Sequence, residues 1–187
     1  VGSYYLQEWH LRWFRDHLPA SGVHIDNLSE SWLGFSLSGP RAREIMVKVT
    51  QSDVSDQGIP FMGCASIDVA GIPAVVARLS LTGELGYEIN VQAGQQRALW
   101  RALLAAGSPL GMRPIGMRAQ DSLRLEKGYG VWSLEFSTSV TPAMCGLDRF
   151  VAADKGDFIG REAFVQSLAE TPPQKLVLLQ VESPEAD

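Results

Sequence analysis

Charged and polar side chains are concentrated around two glycines in residues 78–89, which read R-L-S-L-T-G-E-L-G-Y-E-I. Tyr87, Ile89 and Val91 alternate in a pattern that predicts a strand with one apolar face, and Glu88 then projects from the opposite face. A carboxylate held there can accept two parallel N–H bonds from a planar heterocycle with an amino group next to a ring N–H. On this stretch alone, Glu88 can equally lie on a solvated strand face, and both interpretations stay open.

A second polar stretch, residues 119–132, reads A-Q-D-S-L-R-L-E-K-G-Y-G-V-W and begins with a helical pattern. Asp121 and Arg124 fall on one helix face at i, i+3 spacing, an exposed pairing worth about 0.2 to 0.5 kcal/mol. Alternatively, Arg124 near the end of the helix, followed by Tyr129 and Trp132, can present a guanidinium and a stacking surface to a flat anionic ligand. The residues alone do not decide between these two roles.

Two further motifs follow in order, T-P-x-x-x-G-L and K-G-D-F-I-G-R-E-A. With the four motifs taken together, the chain resembles the folate-binding aminomethyltransferase family from residue 1 to about residue 170, a family that includes the T-protein of the glycine cleavage system. Within that family the motifs are most similar to the C-terminal folate modules of dimethylglycine and sarcosine dehydrogenases. In those enzymes the folate module follows a flavin module.

The resemblance implies a tetrahydrofolate site. Glu88 matches the pterin-binding carboxylate of the family, Arg124 matches the arginine of its L-R-L-E motif, and Trp132 falls where the family has an aromatic residue near the pterin. Tyr129 and Glu84, which belong to the same two motifs, complete the predicted set of folate-binding residues. The functional aspartate of the family lies upstream of anything that matches the first residue here, so the catalytic group is expected outside this sequence.

The chemistry implied by the resemblance is capture of a methylene unit, released when an N-methyl amine such as dimethylglycine or sarcosine is oxidised, to give 5,10-methylenetetrahydrofolate. FAD would belong to a presumed upstream domain, so the chain alone is expected to hold no flavin and to be inactive. The alternatives are a stand-alone aminomethyltransferase of glycine cleavage and a non-catalytic folate-binding regulatory module. Members that work in iron–sulfur assembly carry K-G-C-x-x-G-Q-E, and Asp157 replaces that cysteine here.

Helices and strands are intermixed along the chain with several hairpins, which predicts an α+β fold with mainly antiparallel sheets and packed helices, truncated at both ends. The predicted helices cover residues 4–14, 40–47, 94–106, 115–127 and 160–168, and the predicted strands cover residues 23–26, 32–38, 64–69, 74–81, 87–91, 146–151 and 175–181. In the first helix, Tyr5, Trp9 and Trp13 recur at i, i+4 and predict a stripe that faces the core.

The resemblance divides the chain into two regions. Residues 1–170 are predicted to form the folate-binding domain, without its N-terminal part. Residues 171–187 are predicted to be a linker and the first strand of a truncated C-terminal barrel, because the consecutive prolines Pro172 and Pro173 cannot continue the preceding helix.

Composition excludes several classes of function. The 187 residues carry 21 acidic and 16 basic side chains, a net charge of −5 and a mean hydropathy of 0.00, so nucleic acid is not an expected partner. Phosphate-binding loops, dinucleotide fingerprints and the common hydrolase motifs are absent from the sequence. Without an apolar run of about 18 residues, we expect no membrane partner and a cytoplasmic location, or the mitochondrial matrix if the source is eukaryotic.

No metal site is expected. His10, His17 and His24 recur every seven residues, but seven helical residues rise about 10.5 Å, which is too far for ligands of one ion. Cys64 and Cys145 are far apart in sequence and are expected to be reduced thiols.

Overall fold

The computed structural model describes residues 4–132, 134–180 and 182, without the side chains of Tyr4 and Tyr5. The described residues form five α-helices and one four-stranded antiparallel sheet, which confirms the predicted α+β class. The chain divides into two compact units, Val1–Tyr129 and Gly130–Asp187. The prediction that residues 1–170 make up one folate-binding domain stays a prediction.

The first unit contains two short 3-10 helices, Ala93–Gln95 and Ser108–Leu110, together with four α-helices and all four strands. In chain order the α-helices and strands are α1 (Tyr4–His17), β1 (Trp32–Ser38), α2 (Ala42–Val49), β2 (Cys64–Val69), β3 (Ile72–Ala77), β4 (Gly86–Gln92), α3 (Gln96–Gly107) and α4 (Met117–Glu126). The second unit contains α5 (Arg161–Ala169) and two short 3-10 helices, Ala143–Cys145 and Asp148–Phe150.

The strands are ordered β1-β4-β3-β2, and every pair is antiparallel. Since side chains alternate along a strand, the sheet has one face that is buried and one that is not. Leu37, Tyr87 and Ile89 belong to the buried face, where α2 and α3 supply Met46 and Leu99 to the same apolar cluster. The opposite face carries Glu88.

The β2–β3 hairpin turns at Ala70 and Gly71, which both have positive φ values, 57° and 78°. Two consecutive left-handed residues are typical of the turn that matches the twist of paired strands. The Asp68 carboxylate accepts a hydrogen bond from the Gly71 amide at 2.7 Å and holds this conformation. The turn therefore places the start of β3 at Ile72, and β3 ends at Ala77, whereas the predicted strand covers residues 74–81.

Three predicted strands are not observed. Residues 23–26 have no strand partner, and Val23 is 55% exposed, so this segment lacks a face to bury. In 146–151, Gly146 has a φ of 68°, and the amides of Phe150 and Val151 bond to carbonyls three residues earlier, which makes turns rather than a ladder. Residues 175–180 are exposed and carry neither helix nor strand, and Val181 lies outside the described residues.

Helix α1 forms as predicted, but its expected core-facing stripe does not. Trp9 is 45% exposed and Trp13 is 41% exposed, and the Tyr5 side chain lies outside the described residues. Trp13 stacks on His17 within the same helix, with ring centroids 3.9 Å apart.

Candidate functional site

Glu88 lies in the middle of β4, on the exposed face of the sheet, as its strand pattern predicts. Its neighbours in register are Ser36 on β1 and Ala77 on β3. Among the described residues, no hydrogen bond or ion pair engages the Glu88 carboxylate. Both carboxylate oxygens are therefore available to a ligand.

The surface around Glu88 is made of small side chains and is consequently flat. Ser36 and Ala77 flank Glu88 on the two neighbouring strands, and Asn90 follows it on the same face of β4. Gly34 leaves room for Asn90, because a Cβ at Gly34 would lie 2.5 Å from the Asn90 side-chain oxygen Oδ1. The two side chains that flank Glu88 in register are therefore small enough to leave room for a planar ring.

The loop between β3 and β4 crosses the same face beside Gly86. A Cβ at Gly86 would overlap the carbonyl oxygen of Leu79 and lie 3.2 Å from Oγ of Ser38, which is why a glycine occupies this position in the motif. The loop thus bounds one end of the open face, and Thr82 within it is 4% exposed. Leu81, next to Thr82, is 39% exposed.

The second motif forms the end of α4. Gly128 adopts a left-handed conformation with φ 68°, its amide donates to the carbonyl of Leu125, and the amide of Tyr129 donates to the carbonyl of Arg124. These two bonds make a Schellman motif, which satisfies carbonyls that the helix end would otherwise leave unpaired. The L-R-L-E-K-G-Y sequence therefore encodes a helix cap that fixes the position of the Tyr129 backbone.

Arg124 is buried, with 2% of its surface exposed. Its Nε donates to Asp121 Oδ1 at 3.0 Å, and its Nη1 donates to the backbone carbonyl of Tyr129 at 2.9 Å. The ion pair with Asp121 was one of the two predicted roles, although it is not the exposed pair that the helix pattern suggested. The folate contact of Arg124 stays a prediction.

The two motifs meet where the Thr82-Gly83-Glu84 loop reaches the end of α4. Nζ of Lys127 lies 3.7 Å from Oε1 of Glu84. A Cβ at Gly83 would lie 2.5 Å from Cγ of Lys127, so the loop packs closely on this side chain. Glu84 is about half exposed and is positioned by Lys127 rather than by the sheet.

The two predicted aromatic residues are both partly exposed. Tyr129 is the last residue of the first unit and is 44% exposed. Trp132 belongs to the second unit, is 41% exposed and forms an isolated bridge with Phe136. Their stacking role toward a pterin stays a prediction.

An ion-pair network that the sequence did not indicate lies at the start of the first motif. Oδ1 of Asp56 contacts Nη1 of Arg78 at 2.8 Å and also contacts Nη2 of Arg43. Arg43 donates to the hydroxyl of Tyr87 at 3.2 Å, and that hydroxyl donates to the carbonyl of Val54 at 2.7 Å. The hydrogen bond from Arg43, together with the positive charges of Arg43 and Arg78, holds the pKa of the Asp56 carboxyl below its ordinary value. The network anchors the buried side of β4.

No group of three or more metal-ligating side chains is found among the described residues. No helix in that part of the chain is long and apolar enough to cross a bilayer. Cys64 and Cys145 are both free thiols, as predicted.

An unpaired carboxylate on a flat sheet face of an α+β unit defines a candidate site for a small planar ligand. The GCVT N-terminal domain matches residues 1–155, and the chain belongs to this family, whose members bind tetrahydrofolate. The resemblance seen in the four motifs is thereby confirmed.

Two of the relatives represent different kinds of enzyme. Human mitochondrial dimethylglycine dehydrogenase is 34% identical over 180 residues, which are 95% of this chain and 21% of the relative. An aminomethyltransferase from Thermoanaerobacter sp. (strain X514) is 34% identical over 166 residues, which are 89% of this chain and 45% of the relative. The chain therefore spans less than half the length of either protein.

A solved structure confirms the fold. The crystal structure of glycine cleavage system aminomethyltransferase T from Bartonella henselae matches with a TM-score of 0.63 and 27% sequence identity. The match covers 75% of this chain and 37% of that protein.

Proposed function

We propose that this chain is a tetrahydrofolate-binding module that captures a methylene unit from an N-methyl amine to form 5,10-methylenetetrahydrofolate. The observation that carries the proposal is the exposed, unpaired carboxylate of Glu88 on the open face of the sheet. Membership of a tetrahydrofolate-binding family supports it independently of the geometry.

Glu88 would bind the pterin ring through two parallel hydrogen bonds, one from the 2-amino group and one from the adjacent ring N–H. A charged acceptor of this kind contributes about 1.5 to 3 kcal/mol to binding. The small side chains of Ser36 and Ala77 beside Glu88 leave room for the ring to lie close to the sheet. Arg124, Tyr129, Trp132 and Glu84 remain the other proposed folate-binding residues.

In the reaction that we propose, the methylene carbon is transferred from the nitrogen of the amine to two nitrogens of the bound folate. N5 and N10 of tetrahydrofolate form bonds to the carbon of an N-methylene iminium ion, and the bond from that carbon to the amine nitrogen breaks. The two protons lost from N5 and N10 go to the amine, which leaves as an ammonium ion. Oxidation of the N-methyl amine by FAD is proposed for a separate domain, and no residue of this chain takes part in it.

For the parent enzyme we favour the dimethylglycine or sarcosine dehydrogenase type. The form of the T-G-E-L-G-Y-E and L-R-L-E-K-G-Y motifs supports the choice, whereas the two relatives are equally similar to this chain, at 34% identity each. A stand-alone aminomethyltransferase and a non-catalytic folate-binding module are the alternatives. The full-length protein separates them, because only the dehydrogenase type forms 5,10-methylenetetrahydrofolate in a reaction that depends on dimethylglycine or sarcosine.

The folate site is tested by calorimetric titration of the chain with tetrahydrofolate under anaerobic conditions. We expect saturable binding that Glu88→Gln weakens by about tenfold or more, because the amide replaces one charged acceptor by a donor. Glu30→Gln, an exposed carboxylate outside the sheet, is the matched control and should bind like the parent. Equal affinity of Glu88→Gln and the parent would remove Glu88 from the site, and no binding to the parent would refute the proposed function of the chain.

A further inference from the structure

A cavity of about 310 Å³ lies between the edge strand β1, helix α3 and residues 112–115 of the first unit. Its apolar lining includes Phe35, Leu37 and Leu103, and these side chains belong to the buried side of the sheet. Glu88 lies on the opposite face, so the sheet separates the cavity from the surface that we propose for folate. Neither the motifs nor the resemblance assigned a role to this cavity.

Aromatic rings form one wall of the cavity. Phe35 and Trp100 both line it, with ring centroids 5.2 Å apart and planes inclined by 37°. Trp100 is 36% exposed, so part of its ring surface is free to contact a ligand. Small-molecule sites are cavities of about 300 to 1,000 Å³ with mostly apolar walls, and this cavity is at the lower end of that range. It therefore suits a compact ligand with one flat ring system.

The cavity is also lined by a residue whose buried hydroxyl has no partner. Thr82 is 4% exposed, and its Oγ1 has no hydrogen-bond partner among the described residues. Thr50, which is buried to a similar extent, instead donates to the carbonyl of Asp68. Since buried polar atoms in folded proteins are almost always hydrogen-bonded, the Thr82 hydroxyl indicates where a polar atom of a ligand can be bound.

The charge of the lining favours an anionic ligand. Arg113 lines the cavity, is exposed, and has no ion pair or side-chain hydrogen bond with the rest of the described chain. None of the described residues that line the cavity is acidic. A carboxylate is therefore attracted by Arg113 without a like charge in the lining to repel it, whereas an amine finds no counter-charge there.

We propose that this cavity is a second binding site of the chain, separate from the folate site, and that its ligand is a small aryl carboxylate. The ring of the ligand lies against Phe35 and Trp100, the Thr82 hydroxyl donates to an oxygen of the ligand, and Arg113 supplies the counter-charge. The assignment does not depend on the proposed function, because these four residues are not among the proposed folate-binding residues.

The test uses three probes that share one ring and differ in charge. Indole-3-acetate is anionic, indole-3-acetamide is neutral and tryptamine is cationic. Each is titrated into the 187-residue chain, with binding followed by calorimetry and by the NMR signal of the Trp100 indole N–H. Trp100→Phe assigns that signal by its loss. Tetrahydrofolate, added under anaerobic conditions, serves as the competitor.

Two pairs of variants test the polar groups. Thr82→Val removes only the hydroxyl, and Thr82→Ser retains it. Ser80→Ala is the matched control, because Ser80 has a buried, unpaired hydroxyl and does not line the cavity. Arg113→Gln removes the charge at the exposed surface, where the substitution leaves the core intact. Arg118→Gln is its control, because Arg118 is an exposed arginine of α4 outside the cavity.

We expect indole-3-acetate to bind saturably and to shift the Trp100 signal. Thr82→Val should weaken its binding by about three- to tenfold, the loss of one hydrogen bond, and Thr82→Ser and Ser80→Ala should bind it like the parent. Arg113→Gln should weaken its binding by about two- to fivefold, as is usual for an exposed charge pair, and Arg118→Gln should not. The parent should bind indole-3-acetamide more weakly than indole-3-acetate, and tryptamine more weakly still.

The proposal is overturned if indole-3-acetate does not bind or leaves the Trp100 signal in place. Binding equal to the parent in Thr82→Val or in Arg113→Gln also overturns it, as does equal affinity for the three probes. Tetrahydrofolate should not displace indole-3-acetate, and Glu88→Gln should bind indole-3-acetate like the parent. Displacement, or weaker binding in Glu88→Gln, would refute a separate site. Failure of the parent to bind tetrahydrofolate would refute the proposed function alone.

Discussion

Arg124 and Tyr129 are joined by two hydrogen bonds that run in opposite directions. Nη1 of Arg124 donates to the carbonyl of Tyr129, and the amide of Tyr129 donates to the carbonyl of Arg124, both at 2.9 Å. The side chain of Arg124 thereby continues the cap that the backbone makes at the end of α4. A residue expected to contact the ligand thus has a structural role in positioning Tyr129.

Arg124→Ala should destabilise the first unit. The substitution removes the hydrogen bond from the guanidinium to the Tyr129 carbonyl and empties a buried volume, and a hydrogen bond to a charged group contributes about 1.5 to 3 kcal/mol. Urea unfolding followed by circular dichroism measures the change. Arg124→Lys should recover part of the loss, because an ammonium retains a donor but lacks the planar fork of the guanidinium. An unchanged unfolding midpoint in Arg124→Ala would contradict the structural role.

Gly128→Ala should destabilise the same helix end for a different reason. Gly128 has a φ of 68°, a conformation that places the Cβ of an L-residue under strain, and the expected cost is about 1 kcal/mol. Gly94 provides the matched control, since it lies in the short 3-10 helix Ala93–Gln95, its φ is outside the left-handed region and nothing lies within 4 Å of its Cβ position. Gly94→Ala should leave the free energy of unfolding unchanged or slightly raised. Equal effects of the two substitutions would contradict the Schellman cap.

The sequence predicted the α+β class and the position of Glu88, because both depend on local periodicity. Alternation of apolar residues in β4 determines which face Glu88 occupies, and that rule requires no knowledge of the neighbouring strands. The burial of Arg124 was not predictable in this way. A pattern of charges at i, i+3 does not show that the chain folds back after the helix. It therefore gives no sign that the Tyr129 carbonyl, five residues later, accepts a hydrogen bond from the Arg124 guanidinium.

The position of Ser36 beside Glu88 was missed because it depends on strand pairing. Nothing local in β1 indicates that Ser36 pairs with Glu88, 52 residues later, in the sheet register. The strand predicted at 146–151, and the described residues 175–180 of the strand predicted at 175–181, are not observed as strands for the converse reason. Their apolar residues have β propensity, but in the described segments no neighbouring strand supplies a ladder.

Asp56 should make stability depend on pH in the acid range. Its pKa lies below the ordinary 3.8, chiefly because Arg43 donates to the carboxylate, with further contributions from the charges of Arg43 and Arg78. A depressed folded-state pKa contributes stability that is present above pH 3.8 and is lost as the pH falls through the lower, folded value. The exposed carboxylate makes this contribution small.

Asp56→Asn therefore should be less stable than the parent at pH 7, and the difference should shrink as the pH falls below 3.8. Urea unfolding at a series of pH values measures it. Glu44 is the control, because its pKa is also lowered, by Arg41 on the same helix end, without contact to Tyr87. Glu44→Gln should leave the Tyr87 environment unchanged by NMR, whereas Asp56→Asn should shift it. A stability difference independent of pH would refute the role of the Asp56 charge.

Tyr129 allows the backbone and side-chain roles at the end of α4 to be separated. Both of its hydrogen bonds to Arg124 use backbone atoms, whereas its ring is 44% exposed. Tyr129→Ala should therefore change the free energy of unfolding by less than about 0.5 kcal/mol, as is usual for a surface side chain. If the ring stacks on the pterin, the same variant should bind tetrahydrofolate about three- to tenfold more weakly, since such ring contacts contribute about 0.5 to 1.5 kcal/mol. Tyr129→Phe retains the ring and should bind like the parent. Calorimetric titration and urea unfolding on the same samples give both quantities, and an affinity equal to the parent in Tyr129→Ala would remove the ring from the folate site.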